Sequence, residues 1–207
     1  KIMIKVLKYL SSFSLTKLLI FFFIYGFVIS LTVQFIILPI FLSQFHIGNG
    51  LLDGGDWTYY HTRAVELSYK IETFGWSIWQ LRPQGFGMIG FVAAIYSLTG
   101  IFEPYMLIPF FSILHSLGAT SIVLLIEKLG IDRGVSILSS IPFLVFPSSL
   151  LWVTQILKDI FTINGSLIIL LALTGIISIS QKDNFYCFLK KLLTLYTLTI
   201  FGFILIW

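Results

Sequence analysis

Charge is what this sequence has least of. Only 11% of its 207 residues are Asp, Glu, Lys or Arg, against 57% hydrophobic, and the mean hydropathy is +0.99. That much apolar surface cannot be hidden in one water-soluble core of this size, which excludes an ordinary soluble domain. Cysteine is almost absent as well. With Cys187 alone, no internal disulfide can form and the redox compartment has no marker. The formal charge of +4 comes without the basic stripe that a nucleic-acid partner requires, because the lysines and arginines are scattered at the ends of apolar runs; no nucleic acid is expected. Also missing are a heptad series, an internal repeat, a low-complexity linker and the alternating ten-residue strands of a membrane barrel. No small-residue cleavage site follows the first apolar run, so it reads as an anchor and not as a cleavable signal.

What remains is a polytopic all-α pattern over 1–207, a single transmembrane domain. Six apolar runs stand out: Leu18 to Leu42, Gly85 to Phe102, Tyr105 to Ile126, Val135 to Val153, Ile160 to Ile179, and Leu192 to Trp207. Runs of this kind approach the roughly 20 residues that cross a bilayer core about 30 Å thick. Their orientation follows from lysine and arginine, which accumulate on the cytoplasmic side. If all six cross, only Lys1, Lys5, Lys8, Lys17 and Lys158 face inward, a minority of the 13 basic residues. If Gly85 to Phe102 lies along the outer surface instead, the inner side holds Lys1, Lys5, Lys8, Lys17, Lys128, Arg133, Lys182, Lys190 and Lys191. Arg63, Lys70, Arg82 and Lys158 then face out. The second arrangement satisfies the rule, and the segment is short, glycine-rich and fenced by Pro83 and Pro104. The expected architecture is therefore a helical bundle with an outer-face loop of juxtamembrane helices at 43–103. Because Lys1 opens the sequence and Trp207 closes it inside an apolar run, the chain is expected to be an N-terminal fragment of a longer protein.

The outer loop contains the stretch LLDGGDWTYYHTRAVEL, in which Asp53 and Asp56 surround two glycines. Gly54 and Gly55 permit a tight turn. Beyond them Tyr60, Ala64, Leu67 and Ile71 recur at the spacing of one helix face, which predicts a short amphipathic helix with an aspartate at its start. Taken alone, Asp56 is an ordinary helix cap and Asp53 ordinary turn chemistry. Moving Gly85 to Phe102 out of the crossing set also brings Gln155 to Asp159 to the face of the long loop. Asp53, Asp56, Arg82, Lys158 and Asp159 then belong to one surface.

DWTYYHTRA resembles the first-loop motif of the polytopic glycosyltransferases that use polyprenyl-phosphate sugars, the GT-C superfamily of protein mannosyltransferases and lipid A aminoarabinose transferases. Its aspartate, tyrosine and alanine spacing is matched by Asp56, Tyr60 and Ala64, while Trp57 replaces the usual acidic or small residue. LRPQGFGMIGFVAAIYSLTG is similar to a juxtamembrane helix opened by a basic residue and proline and ended by glycine, here Arg82, Pro83 and Gly100. LHSLGATSIVLLIEKLGIDRG and FPSSLLWVTQILKDIF resemble the following spans, the latter with an acid of the second outer loop at Asp159. The similarity runs from about Gly55 to Ala172, through motifs that are each degenerate.

The resemblance implies transfer of a sugar from a polyprenyl-phosphate donor to a glycan, lipid or protein acceptor, at the outer face of a membrane, generically the bacterial inner membrane. Asp56 is the expected general base. Arg82 is the expected ligand of the lipid phosphate, helped by Lys158; Tyr60 and Asp53 join the substrate site. Asp159 is the candidate for acceptor binding or for a divalent metal ion, the one cofactor considered. The competing account of Lys158 and Asp159 is that they bound a helix at the water interface. His46 and His61 lack a zinc-ligand spacing and read as structural. His115, midway through an apolar run beside Ser112 and Ser116, is expected to hydrogen-bond between helices. Trp57, Tyr59, Tyr60, Trp76 and Trp79 read as an interfacial belt. The alternatives are a transporter-like protein, whose signature is a broken helix at the bilayer midplane, and a non-catalytic membrane subunit.

Overall fold

A computed structural model describes residues 2–177 and 185–206. Lys1, Ile179, Lys182 and Trp207, which entered the charge count or the ends of the apolar runs, lie outside the described residues. Among the described residues the chain is helical, with one isolated bridge between His46 and Leu52 and no strand. Two helical stretches are long and apolar enough to cross a membrane, Leu15–Phe41 and Pro104–Lys128, the latter containing α5 (Ile108–Lys128). A third exists if α6 (Arg133–Val145) and α7 (Pro147–Thr154), broken at Phe146, count as one span.

The chain divides into two compact units, Lys1–Phe23 with Leu114–Phe146 and Asp159–Trp207, and Ile24–Ile113 with Pro147–Lys158. The first unit begins with α1 (Ile2–Ser11), which precedes the first of the apolar runs. It packs on α6 (Arg133–Val145). Asp132 caps α6 by accepting the Gly134 N–H at 2.8 Å. Arg133 bonds Glu127 at 2.6 Å and donates to the Phe13 carbonyl at 2.9 Å. Helices α8 (Asp159–Ile177) and α9 (Phe185–Ile206) approach closely through glycine. A Cβ at Gly165 would lie 2.6 Å from the Gly202 carbonyl, and one at Gly202 would lie 2.8 Å from that of Gly165. Small residues bring helix backbones together in this way where lipid removes the ordinary hydrophobic drive.

The same unit corrects the expectation for His115. Its ring is fully buried and stacks on Phe143 at 4.9 Å and 19° between planes, and neither ring nitrogen has a hydrogen-bond partner among the described residues. Aromatic stacking has replaced the helix-to-helix hydrogen bond.

The second unit contains the loop region. Helix α2 (Leu15–Thr32) passes into a π-helical stretch, Val33–Phe41, with Pro39 inside it. Proline supplies no N–H and crowds the preceding turn, so the α-ladder fails there, and Leu42 N–H reaches back five residues to the Ile37 carbonyl at 3.0 Å. Helices α3 (Asp56–Phe74) and α4 (Gly87–Thr99) then form a packed hairpin. With 13 residues, α4 extends about 20 Å at 1.5 Å per residue, well short of a bilayer core. It ends where Gly100 adopts φ +68° and donates to the Tyr96 carbonyl at 2.8 Å. The buried face of α3 is Tyr60, Ala64, Ser68 and Ile71, so three of the four expected positions hold and Ser68 displaces Leu67. The Ser68 hydroxyl is satisfied in the core by the carbonyls of Ala64 at 2.8 Å and Ala93 at 3.2 Å.

Candidate functional site

The polar loop ahead of α3 is held at several points. Asp53 N–H donates to the Phe45 carbonyl at 2.7 Å, beside the His46 and Leu52 bridge. The two glycines have different duties. Gly54 has φ +75°, a conformation that side chains disfavour, while a Cβ on Gly55 would enter the ring of Trp57. That ring is anchored, its Nε1–H donating to the Leu52 carbonyl at 2.6 Å. Trp57, at the position where the resembled motif has an acidic or small residue, therefore serves as a brace for the loop.

Gly55 is the N-cap of α3, in extended conformation, and Asp56 is the first helical residue. An aspartate at this point of the sequence reads as the helix cap; in the structure it stands one residue further in. Its side chain is exposed, and no hydrogen bond ties it to a described residue. An unengaged carboxylate in the first turn remains favourable because it faces the positive end of the helix dipole. Asp53 is exposed as well.

Arg82 is half-buried at the start of a tight turn, Pro83–Gly85, that leads into α4. Gln84 sits in that turn with φ 56°, the one positive value outside glycine among the described residues. Its Oε1 accepts from the Tyr59 hydroxyl at 3.3 Å. Phe86 follows, its ring 5.7 Å from Tyr59 and 5.9 Å from Tyr60. The Arg82 turn thus leans on the first turn of α3, the turn that Asp56 opens. Gly90 makes this possible from the other side, since a Cβ there would collide with the carbonyls of Gln80 and Leu81. Trp79 closes the approach by donating to the Gly90 carbonyl at 3.0 Å. Tyr60 is only 2% exposed, so the structure places it in the helix hairpin and leaves Tyr59 at the surface.

Lys158 reaches the same unit through Gln155, a residue that composition and motif gave no reason to single out. The Gln155 side chain is 1% exposed; its Oε1 accepts the Leu52 N–H at 3.0 Å and its Nε2 donates to the Gly50 carbonyl at 3.3 Å. The segment carrying exposed Lys158 is thereby tied to the backbone next to Asp53. Asp159 is half-buried and opens α8.

His61 has a structural setting. Its Nδ1 lies 3.0 Å from the Tyr96 hydroxyl, and the rings meet edge to face at 5.8 Å. Burial lowers the imidazole pKa and raises that of the phenol. Both groups are therefore neutral at pH 7, and the imidazole tautomer sets which of them donates in this hydrogen bond. His46 Nε2 accepts the Gly50 N–H at 2.9 Å. Among the described residues no group of three or more His, Cys, Asp or Glu side chains is placed to hold a metal ion. Asp159 belongs to no such group among the described residues. Compared with protein-family models, curated proteins and solved structures, the chain matches none.

Proposed function

We propose that this protein is a membrane glycosyltransferase that moves a sugar from a polyprenyl-phosphate donor to an acceptor hydroxyl or amine, with Asp56 as general base. The observation that carries the reading is the state of that carboxylate. It is exposed and unengaged, yet its backbone is fixed by Gly55, the Trp57 brace and the Arg82 turn. A carboxylate kept free of ion pairs on a rigid turn can accept a proton as an acceptor oxygen attacks the anomeric carbon. Arg82, on the neighbouring turn, binds two oxygens of the departing lipid phosphate through its planar fork. Lys158 adds charge from the connection tied down by Gln155, and Asp53 contributes acceptor contacts from the same loop. Tyr60, being buried, sets the position of the first helical turn. The order of Asp56, Tyr60, Ala64, Arg82, Pro83 and Gly100, with its resemblance to the polyprenyl-phosphate glycosyltransferases, supports the same assignment.

The test is Asp56→Asn in a reconstituted transfer assay with a polyprenyl-phosphate sugar. The change preserves size and removes the proton acceptor, so turnover should fall by about 10² or more while thermal stability shifts by less than about 1 kcal/mol. Unchanged turnover would end the proposal.

A second reading, a transporter-like protein, is favoured by the break at Phe146 and the π-helical stretch at Val33–Phe41. Interrupted helices are how transporters expose backbone to a substrate. Uptake of a radiolabelled substrate into proteoliposomes, unaffected by Asp56→Asn, would select this reading.

A further inference from the structure

Helix α1, in the first unit, has an exposed face on which apolar and cationic side chains alternate. Its 10 residues extend about 15 Å, too short to cross a bilayer core, and the break at Ser12 to Ser14 separates it from the candidate span that begins at Leu15. Lys5, Lys8 and Tyr9 stand at the i, i+3 and i+4 spacing of one helix face, and Val6 stands one turn before Tyr9. All four are exposed, Val6 at 49% and Tyr9 at 65%. Water suits the lysines and not the other two.

The helix is also tied down. It packs on α6, and the Arg133 guanidinium donates to the Phe13 carbonyl at 2.9 Å, just past the end of α1. From there three rings run edge to face into the candidate span, Tyr9 and Phe13 with centroids 5.0 Å apart and Phe13 and Phe21 at 6.3 Å. Leu15, Ile20 and Phe21 are exposed at the start of that span. The apolar surface of α1 therefore continues through Phe13 into the surface that acyl chains cover, and a continuous exposed patch of this kind marks contact with a membrane.

Charge decides which lipid. The acids flanking Arg133 are already engaged, Glu127 by Arg133 at 2.6 Å and Asp132 by the Gly134 N–H at 2.8 Å. Among the described residues no ion pair includes Lys5, Lys8 or the exposed Lys17 of the next helix. Lysines beside an inserted apolar face reach the depth of the headgroup phosphates. A zwitterionic headgroup carries its own cation, whereas an anionic one leaves net negative charge, and each lysine near such a surface gains about a fivefold preference. Nucleic acid would use the cations but leave Val6 and Tyr9 in water. An acidic protein would need a face clear of the bilayer, and the rings of Tyr9, Phe13 and Phe21 join this face to the span.

We infer that α1 is an interfacial anchor that binds anionic phospholipid, with Val6 and Tyr9 turned to the acyl chains and Lys5 and Lys8 on the headgroup phosphates. The inference draws on the apolar span and not on the transferase reading.

The test uses the full chain with Cys187→Ser and Val6→Cys, the new thiol carrying an NBD fluorophore, in vesicles of phosphatidylcholine and phosphatidylglycerol mixed about 3:1. The fluorophore should be quenched by doxyl groups on the acyl chains and shielded from aqueous iodide. Quenching by iodide and not by doxyl would place the face in water, open to a soluble partner, and would overturn the inference. Lipid preference is read at the same position, by comparing quenching from doxyl-phosphatidylglycerol with that from doxyl-phosphatidylcholine at equal mole fraction. The anionic lipid should be preferred by about fivefold or more. Lys5→Gln with Lys8→Gln should bring the preference to within about twofold of unity, whereas Lys70→Gln, which removes a lysine of the other unit, should leave it unchanged. Should the double variant fail to fold, salt decides on the parent chain, because about 1 M salt shortens the Debye length to about 3 Å and should abolish the preference while leaving the fluorophore shielded from iodide. Equal quenching by the two lipids, a preference that survives the double substitution in a folded chain, or one that survives salt would each overturn the inference. Asp56→Asn should give the parent's quenching, so failure of transfer and failure of this anchor are read separately.

Discussion

The side chain of Gln155 accepts the Leu52 N–H at 3.0 Å and, through its other amide atom, donates to the Gly50 carbonyl. Residues more than a hundred positions apart in sequence are joined by one buried amide. It fastens the segment that carries Lys158 to the loop that carries Asp53 and Asp56. Gln155→Leu should therefore leave a part-buried N–H and a buried carbonyl unpaired, at a cost of about 1–3 kcal/mol for the carbonyl and less for the N–H. A lower unfolding temperature in detergent, with faster proteolysis in the Gly50 to Gly55 loop, is the expected result. Wild-type protease resistance would show that the amide does not hold the loop.

Arg82 lies on a turn pressed against α3 by Phe86 and against α4 by Gly90. If it grips the donor phosphate with two donors at once, Arg82→Lys keeps the charge and loses the fork. Donor saturation should require higher concentrations, by about tenfold, with little change in turnover once saturated. Superimposable donor curves would remove Arg82 from the donor site.

The packing of His61 against Tyr96 predicts a pH dependence whose sign follows from burial. The imidazole pKa is lowered below its ordinary value near 6.5 in the folded chain. The unfolded chain therefore binds the extra proton first, so this group's contribution is intact above the ordinary value and is lost as pH falls below it. His61→Gln retains a hydrogen-bonding group for the Tyr96 hydroxyl but does not titrate. Thermal unfolding between about pH 5 and pH 7 should slope less in the variant than in the wild type. Identical slopes would mean that His61 is not buried as described.

Membrane sidedness can be read with single cysteines after Cys187→Ser. Gln155 is too buried to label, so Asp53 and Lys158 are the reporters for the outer face and Lys128 and Lys190 for the inner, all four being exposed. An impermeant thiol reagent applied to intact cells should modify the first pair and spare the second, as the basic-residue count requires. Labelling of Lys128→Cys with protection of Lys158→Cys would show that the segment around α4 crosses the membrane and would separate the proposed site residues.

The amino-acid sequence by itself determined that the chain is helical and rich in apolar stretches, two of them long enough to cross a membrane. An apolar run without charges has few alternatives to a helix, and the spacing of Tyr60, Ala64 and Ile71 marked a face that does become buried. The short extent of α4 was also legible, because Pro83, Gly100 and Pro104 interrupt any longer helix. Contacts between distant segments were beyond reach of such patterns. Ser68 in place of Leu67, the Trp57 brace that requires Gly55, and the Gln155 amide on Leu52 all depend on which backbone groups arrive next to one another. His115 shows the same limit, since a polar residue in an apolar run signals burial but not whether a hydrogen bond or an aromatic ring will meet it. Gln34 gave no signal at all, because a single amide in a span has no periodicity. Its burial, with Nε2 donating to the Thr154 carbonyl at 2.7 Å and Gly50 packed close to Oε1, is decided by tertiary packing.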